Sequence, residues 1–244
     1  MRRSLLGAAG RVKEPRGNTL IFAEGFESGA FTNWNSCQWT GRNDDCQTYD
    51  GTSDYSAAVV NDGPSHPHAA RFELRDGDSP FGGTERTEIS CDVTAEPGDE
   101  LWMAWDMKFD ASFPTPAVGS SWNVIWQWHQ SSDSVGSPAL CLDIDSDDII
   151  YVANNDASGY LHTAISPVVR GVWQRWVLHA VFSDDDEVGF VEGWIDDELV
   201  FPKEFRKTLI TGDTFCYFKN GIYRDPVNTA TAILYHDNII MTAP

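Results

Sequence analysis

The sequence predicts an all-β chain, an antiparallel β-sandwich of jelly-roll type. Three observations carry that prediction. Short runs alternate apolar with polar residues at period two, the signature of strands with one face buried. Clusters of Gly, Pro, Asp, Asn and Ser interrupt these runs every ten residues or so. Sustained helical periodicity is absent. Many short strands at that spacing suit two packed antiparallel sheets.

Residues 1–18 read as a flexible tail and 19–244 as one domain, with no internal repeat and no linker that would divide a second one. Strands are expected at 20–26, 69–75, 84–92, 101–109, 122–130, 139–145, 148–154, 174–183, 188–196, 214–219 and 232–241. The strand at 101–109 is the clearest, because Leu101, Met103, Trp105, Met107 and Phe109 alternate with Trp102, Ala104, Asp106 and Lys108. Asp196-Asp197 reads as a hairpin turn between Val191–Ile195 and Leu199–Phe201.

A length of 244 residues is normal for a single β-sandwich and allows a sizeable core. Ten Trp suit a broad two-sheet core, and they are also common where flat sugar faces are stacked. The net charge of −20 argues against nucleic acid as a partner and fits solubility or a salty medium. Charge is screened within about 10 Å at 0.1 M salt. A local cluster of Arg86, His129, Lys219 and Arg224 can therefore still form a positive cleft. The five cysteines are an odd number; Cys37 and Cys46 flank a polar loop and can close a short disulfide. Cys91, Cys141 and Cys216 lie in strand-like apolar contexts and are expected as buried thiols. No CxxC spacing points to zinc. The basic start Met1-Arg2-Arg3 precedes an apolar run too short for a convincing signal peptide, which leaves an unusual export signal or a disordered arm. No stretch approaches 18 apolar residues, so no membrane span is expected. The expectation is an extracellular or secreted monomer.

Three segments hold the chemistry-bearing residues. In Trp122–Gln130, strand parity puts Asn123, Ile125, Gln127 and His129 on one face, with Trp122, Val124, Trp126 and Trp128 on a core face. In Thr84–Ile89, Thr84, Arg86 and Glu88 share a face, and Glu88 can fix the Arg86 guanidinium. In Tyr217–Tyr223, Lys219 and Tyr223 share parity at roughly 13 Å on a straight strand, a span that a bulge or turn at Asn220-Gly221 can shorten. The acidic run Asp143, Asp145, Asp147 and Asp148 reads as a solvated strand end, and Asp184-Asp185-Asp186-Glu187 as an exposed loop.

Arg-Thr-Glu at 86–88, Gln-x-His at 127–129 and Tyr-Phe-Lys-x-Gly-x-Tyr at 217–223 occur in that order. Over residues 20–241 the sequence resembles the jelly-roll polysaccharide lyases. These are alginate lyases with R-[ST]-E, Q-[IV]-H and Y-F-K-x-G-x-Y blocks, and heparin-lyase-I-like and glucuronan lyases. The stretches Phe72–Asp78, Gly83–Ile89 and Gly221–Arg224 look more like the heparin-lyase-like branch. Trp128 stands where the alginate pattern has Ile or Val, and Arg224-Asp225 where Asn-Gln is common.

The resemblance implies a concanavalin A-like β-jelly roll. It also implies cleavage of a uronic-acid polysaccharide by β-elimination, on a glucuronan-like chain first and alginate as the alternative. Arg86 and Gln127 are then expected to neutralise the substrate carboxylate, and His129 to take the C5 proton. Tyr223 is expected to protonate the leaving oxygen, or to act as both base and acid. Lys219 is expected to lower the Tyr223 pKa or to bind a neighbouring carboxylate. Arg224, Asn123, His66 and His68 are further substrate-binding candidates. No cofactor is expected to be required for catalysis. Related sandwiches often tie their terminal strands with calcium, and Glu24, Glu27 and Asp237 lie in the matching regions. The rival readings are a non-catalytic carbohydrate-binding module or lectin of the same fold, and a glycoside hydrolase, which lacks its carboxylate motif here.

Overall fold

Period-two alternation gives each strand two faces, and two sheets bury one face each against the other. The structure is a computed structural model that describes residues 15–46, 55–80, 83–131, 138–156 and 159–244. Among the described residues it contains sixteen strands and no α-helix. In chain order they are β1 (Thr19–Glu24), β2 (Ser36–Trp39), β3 (Arg42–Asp44), β4 (Ala57–Val60), β5 (Ala69–Leu74), β6 (Glu85–Ala95), β7 (Glu100–Phe109) and β8 (Asn123–Gln130). Then follow β9 (Leu140–Ile144), β10 (Ile149–Asp156), β11 (Gly159–Pro167), β12 (Gln174–Val181), β13 (Phe190–Ile195), β14 (Glu198–Phe205), β15 (Cys216–Arg224) and β16 (Ala232–Ala243).

The first sheet runs β14-β13-β12-β7-β16-β5-β4, and the second runs β11-β10-β9-β8-β15-β6-β2-β3. All these pairings are antiparallel, as expected of a jelly roll. The long strand β16 pairs with β7 on one side; on the other, β5 takes its first half and β1 its second. Between the sheets Trp105 stacks on Trp126 at 5.1 Å, and Trp126 and Trp128 each lie 5.6 Å from Phe218. Eight of the ten Trp are buried; Trp122 and Trp173 are the two that keep partial exposure. Filling the core is thus the main use of tryptophan here.

Asp196 and Asp197 both adopt positive φ, 49° and 73°, and form the expected hairpin turn between β13 and β14. Cys37 and Cys46 are joined by a disulfide, and Cys91, Cys141 and Cys216 are buried free thiols. Strands β2, β3, β4 and β11 were not expected. The first three have three or four residues, too few to show a period, and β11 is an edge strand with Tyr160 and Leu161 exposed. The strand at 101–109 is more buried than expected: on its outer face Trp102 and Ala104 pack with Val177 and Trp194, while Asp106 and Lys108 stay partly exposed. Of the tail expected at 1–18, residues 1–14 lie outside the described residues; Arg16 sits over the Trp102 ring at 5.6 Å.

Candidate active site

Strands β6, β15 and β8 are neighbours in the middle of the second sheet. Lys219 pairs with Gln127 on one side and Ser90 on the other, and Tyr223 pairs with Arg86. Alternation therefore puts Arg86, Glu88, Gln127, His129, Tyr217, Lys219 and Tyr223 on the face turned away from the core. Glu88 is their hub. Its Oε2 accepts from Lys219 Nζ at 2.7 Å and from Arg86 Nη1 at 3.3 Å, and its Oε1 accepts from Gln127 Nε2. Burial alone would raise the Glu88 pKa, but the Lys219 ammonium and the Arg86 guanidinium outweigh it and hold the carboxyl below its usual range. Among the described residues this floor sets two cations against one carboxylate, although burial pulls the Lys219 pKa down, and its local balance is positive despite the −20 of the whole chain.

Arg86 links the two ends of the group. Its guanidinium carbon lies 4.3 Å from the Tyr223 ring centroid, and its Nη2 donates to Thr84 Oγ1 at 3.4 Å. His129 Nδ1 lies 2.9 Å from the Gln130 carbonyl oxygen. A carbonyl only accepts, so Nδ1 carries the proton and Nε2 keeps its lone pair in the neutral ring. Burial, then the nearby Lys219 charge, pulls the His129 pKa down and favours that neutral form. Tyr223 is pushed the other way: burial raises its pKa although Arg86 opposes the rise, so its hydroxyl stays protonated at neutral pH. The site thus holds a neutral imidazole, a protonated phenol and a positive floor.

The polysaccharide lyase family matches residues 26–240. The chain belongs to that family. Among curated proteins no match is found. Solved structures similar to the lyase include an endo-β-1,4-glucuronan lyase from the fungus Trichoderma reesei, at 14% identity and TM-score 0.69 over 93% of this chain and 96% of that one. An alginate lyase of polysaccharide lyase family 7, AlgAT5, is 15% identical with TM-score 0.59 over 87% of this chain and 95% of its own. The cellulose induced protein Cip1 is 11% identical with TM-score 0.55 over 92% and 98%. At such identities the structural likeness shows the jelly-roll fold.

Other sequence-predicted residues of the lyase lie elsewhere. Asn123 does not share a face with Gln127. Val124 pairs with Asp143 and Trp126 with Leu142, consecutive residues of β9, so Ile125 is an additional residue and the alternation of β8 reverses there. Asn123 and Ile125 turn inward, and Asn123 Nδ2 donates to Ser120 Oγ and to the Ile144 carbonyl. Val124 turns outward beside Tyr223, which corrects its expected place on the core face, and Trp122 lies 5.8 Å from the Tyr223 ring. Arg224 also faces inward: it is buried, donates from Nε to Glu85 Oε2 at 2.8 Å, and is no part of the positive floor. His66 is hydrogen-bonded to Asp237 at 2.9 Å and stacked on Trp173 at 3.8 Å against the first sheet; His68 contacts Glu27 at 2.8 Å. Neither histidine joins the Arg86 group.

Glu24, Glu27 and Asp237 each have hydrogen-bond partners of their own. Glu24 accepts from the Phe26 N–H and from Asn33, Glu27 meets His68, and Asp237 meets His66 and the Asn238 N–H. No group of three or more His, Cys, Asp or Glu side chains among the described residues is arranged to hold a metal ion. Lys219 is expected from sequence as a substrate contact, but it is 1% exposed and spent on Glu88, and Arg86 is the cation acting on Tyr223. Two residues were missed. Tyr217 stands 5.1 Å from the His129 ring, and its odd number in the 217–223 block was the available signal. Asp143 is buried rather than a solvated strand end, and accepts the Tyr160 hydroxyl at 2.9 Å. The remainder of the acidic run is more open, and 184–187 is exposed as expected.

Proposed function

We propose that the lyase cleaves a uronic-acid polysaccharide by β-elimination, with polyglucuronate the first substrate to try and alginate the second. The observation that carries this reading is the positive floor set beside a neutral imidazole and a protonated phenol on one sheet face. Arg86 neutralises the uronate carboxylate, so that negative charge can develop there as the C5 proton leaves, while Gln127, buried and donating to Glu88, fixes the floor beneath it. His129 Nε2 takes that proton. The C5 electron pair forms the C4–C5 double bond, the C4–O4 bond breaks, and Tyr223 gives its proton to O4. Glu88 holds Arg86, Lys219 and Gln127 in place without touching substrate.

Tyr217 beside His129 favours a second assignment of the acid. His129 pairs with Tyr217 across the β8–β15 ladder, whereas Tyr223 pairs with Val124 farther along β15. Tyr217 is then an alternative proton donor, and Tyr223 acting as both base and acid beside Arg86 is the third arrangement. A lectin of the same fold has no need for this pairing, and a hydrolase would need two carboxylates where the Arg86 group, among the described residues, holds Glu88, already tied up. The disulfide fits an oxidising, extracellular setting. The test is a panel of polyglucuronate, alginate, hyaluronan and heparin. Ultraviolet absorbance from new C4–C5 double bonds on at least one polymer is expected. Flat traces from folded protein, or new reducing ends without the double bond, would sink the lyase chemistry proposed here.

A further inference from the structure

The outer face does not end at Tyr223. Its ring also lines a cavity of about 300 Å³, bounded by Trp122, Val124, Cys141, Asp143 and Tyr160. That size is at the lower end of small-molecule sites. One side is aromatic, with the Trp122 and Tyr223 rings 5.8 Å apart and inclined at 34°. A pyranose has an apolar C–H face that packs on such rings and hydroxyls that need acceptors at its rim.

The acceptor is Asp143. Its Oδ1 takes the Asn123 N–H at 2.5 Å and the Ile144 N–H at 3.0 Å, and its Oδ2 takes the Tyr160 hydroxyl at 2.9 Å. A carboxylate of this kind accepts and does not donate. Burial pushes its pKa up to about 6, which leaves it mostly ionised at neutral pH. Asp145 borders the adjoining hollow. His162 Nε2 lies 3.9 Å from Asp143 Oδ2, but burial lowers the His162 pKa and keeps the ring neutral. The charge along this face therefore changes sign. It is positive at Arg86 and Lys219 and negative at Asp143.

We propose that this cavity is a sugar subsite for an uncharged residue. It rests on the uronate-lyase reading above and narrows it. The substrate is a mixed chain in which a neutral sugar lies at a fixed position near the cleaved uronate. A uronate placed here would set its carboxylate toward Asp143 with no cation facing it among the described residues of the cavity lining. Such like-charge juxtaposition disfavours the wrong occupant by at least about tenfold.

The test uses polyglucuronate in which a fraction of the carboxyl groups has been reduced, giving glucose at random positions. Products of the wild type, Asp143→Asn and Tyr160→Arg are sequenced by mass spectrometry. Asn keeps an oxygen acceptor for the two backbone N–H groups, and Tyr160 is 48% exposed, so at least one variant should fold. Arg at 160 places a cation beside Asp143. The expected result is glucose enriched about tenfold at one position beside the bond cleaved by the wild type. That enrichment should fall toward the random value in both variants. Cleavage with glucose placed at random in wild-type products overturns the subsite and leaves the lyase standing. Enrichment that survives both substitutions overturns the role of Asp143. No cleavage of any uronate chain overturns the lyase reading and this inference with it.

Discussion

Glu88 sets the electrostatics of the outer face, because one buried carboxylate holds two cations and an amide. Lys219→Ala should act through it. Removing one partner of a buried pair costs about 3–5 kcal/mol, and for a chain of this size that lowers Tm by roughly 10 °C. Turnover should fall as Arg86 loses its orientation, with KM changing less than kcat; a large KM effect at unchanged Tm would return Lys219 to substrate binding. Tyr223→Phe removes a hydroxyl and little volume. It should cut turnover by at least about a hundredfold, the minimum for a general acid, at nearly unchanged Tm. If Tyr217→Phe produces that loss instead, the proton donor is Tyr217. The pH–rate profile tests the base. His129 acts when neutral, and its pKa is lowered, so the acid limb of kcat/KM should lie below about 6.5, the ordinary histidine value. Tyr223 has a raised pKa and works protonated, so the alkaline limb should lie above about 10. An acid limb above the ordinary histidine value would contradict the assignment.

At the scale of the element, β15 is the strand on which the site depends. Sequence reading stops it at 219, because Asn220-Gly221 looks like a turn, yet it runs to Arg224 and keeps Lys219 and Tyr223 on one face. Gly221 makes this possible. Its φ is 130°, and a Cβ there would lie 2.2 Å from the Thr87 carbonyl oxygen and 2.8 Å from Glu88 Cα. Gly221→Ala must therefore strain β15 or push away β6, which carries Arg86 and Glu88. Backbone strain of this type costs about 1–3 kcal/mol. Activity should fall more steeply than that stability loss implies, because the displaced strand bears the positive floor. Calorimetry and kcat/KM on the same sample check this; full activity with a lowered Tm would show that β6 does not move.

The whole molecule carries −20, while its proposed substrate is a polyanion that must reach a local positive floor. The two fields differ in range. At about 0.01 M salt the Debye length is about 30 Å, so the whole acidic surface repels the chain; at about 0.1 M it is about 10 Å. Raising salt across that interval should increase kcat/KM, since long-range repulsion is screened before the close contact with Arg86 is lost. A monotonic fall, as for proteins that recruit polyanions through a basic surface, would contradict this picture.

Period-two alternation and turn residues were enough to predict two antiparallel sheets, because strand faces are a local property of the chain. The same alternation grouped Arg86 with Glu88, Gln127 with His129 and Lys219 with Tyr223, and the three motif blocks in order marked them as one site through the resemblance. Tertiary structure decided what local parity could not. The additional residue Ile125 reverses β8 and sends Asn123 inward, while Arg224 turns inward to Glu85. Packing against the first sheet takes His66 to Asp237, and long-range pairing across three strands makes Glu88 the hub that holds Lys219 out of solvent. The physical reason is the same in each case. A strand's alternation is written along the chain, whereas register slips, and the partners that make a buried charge tolerable, exist only once distant strands lie side by side.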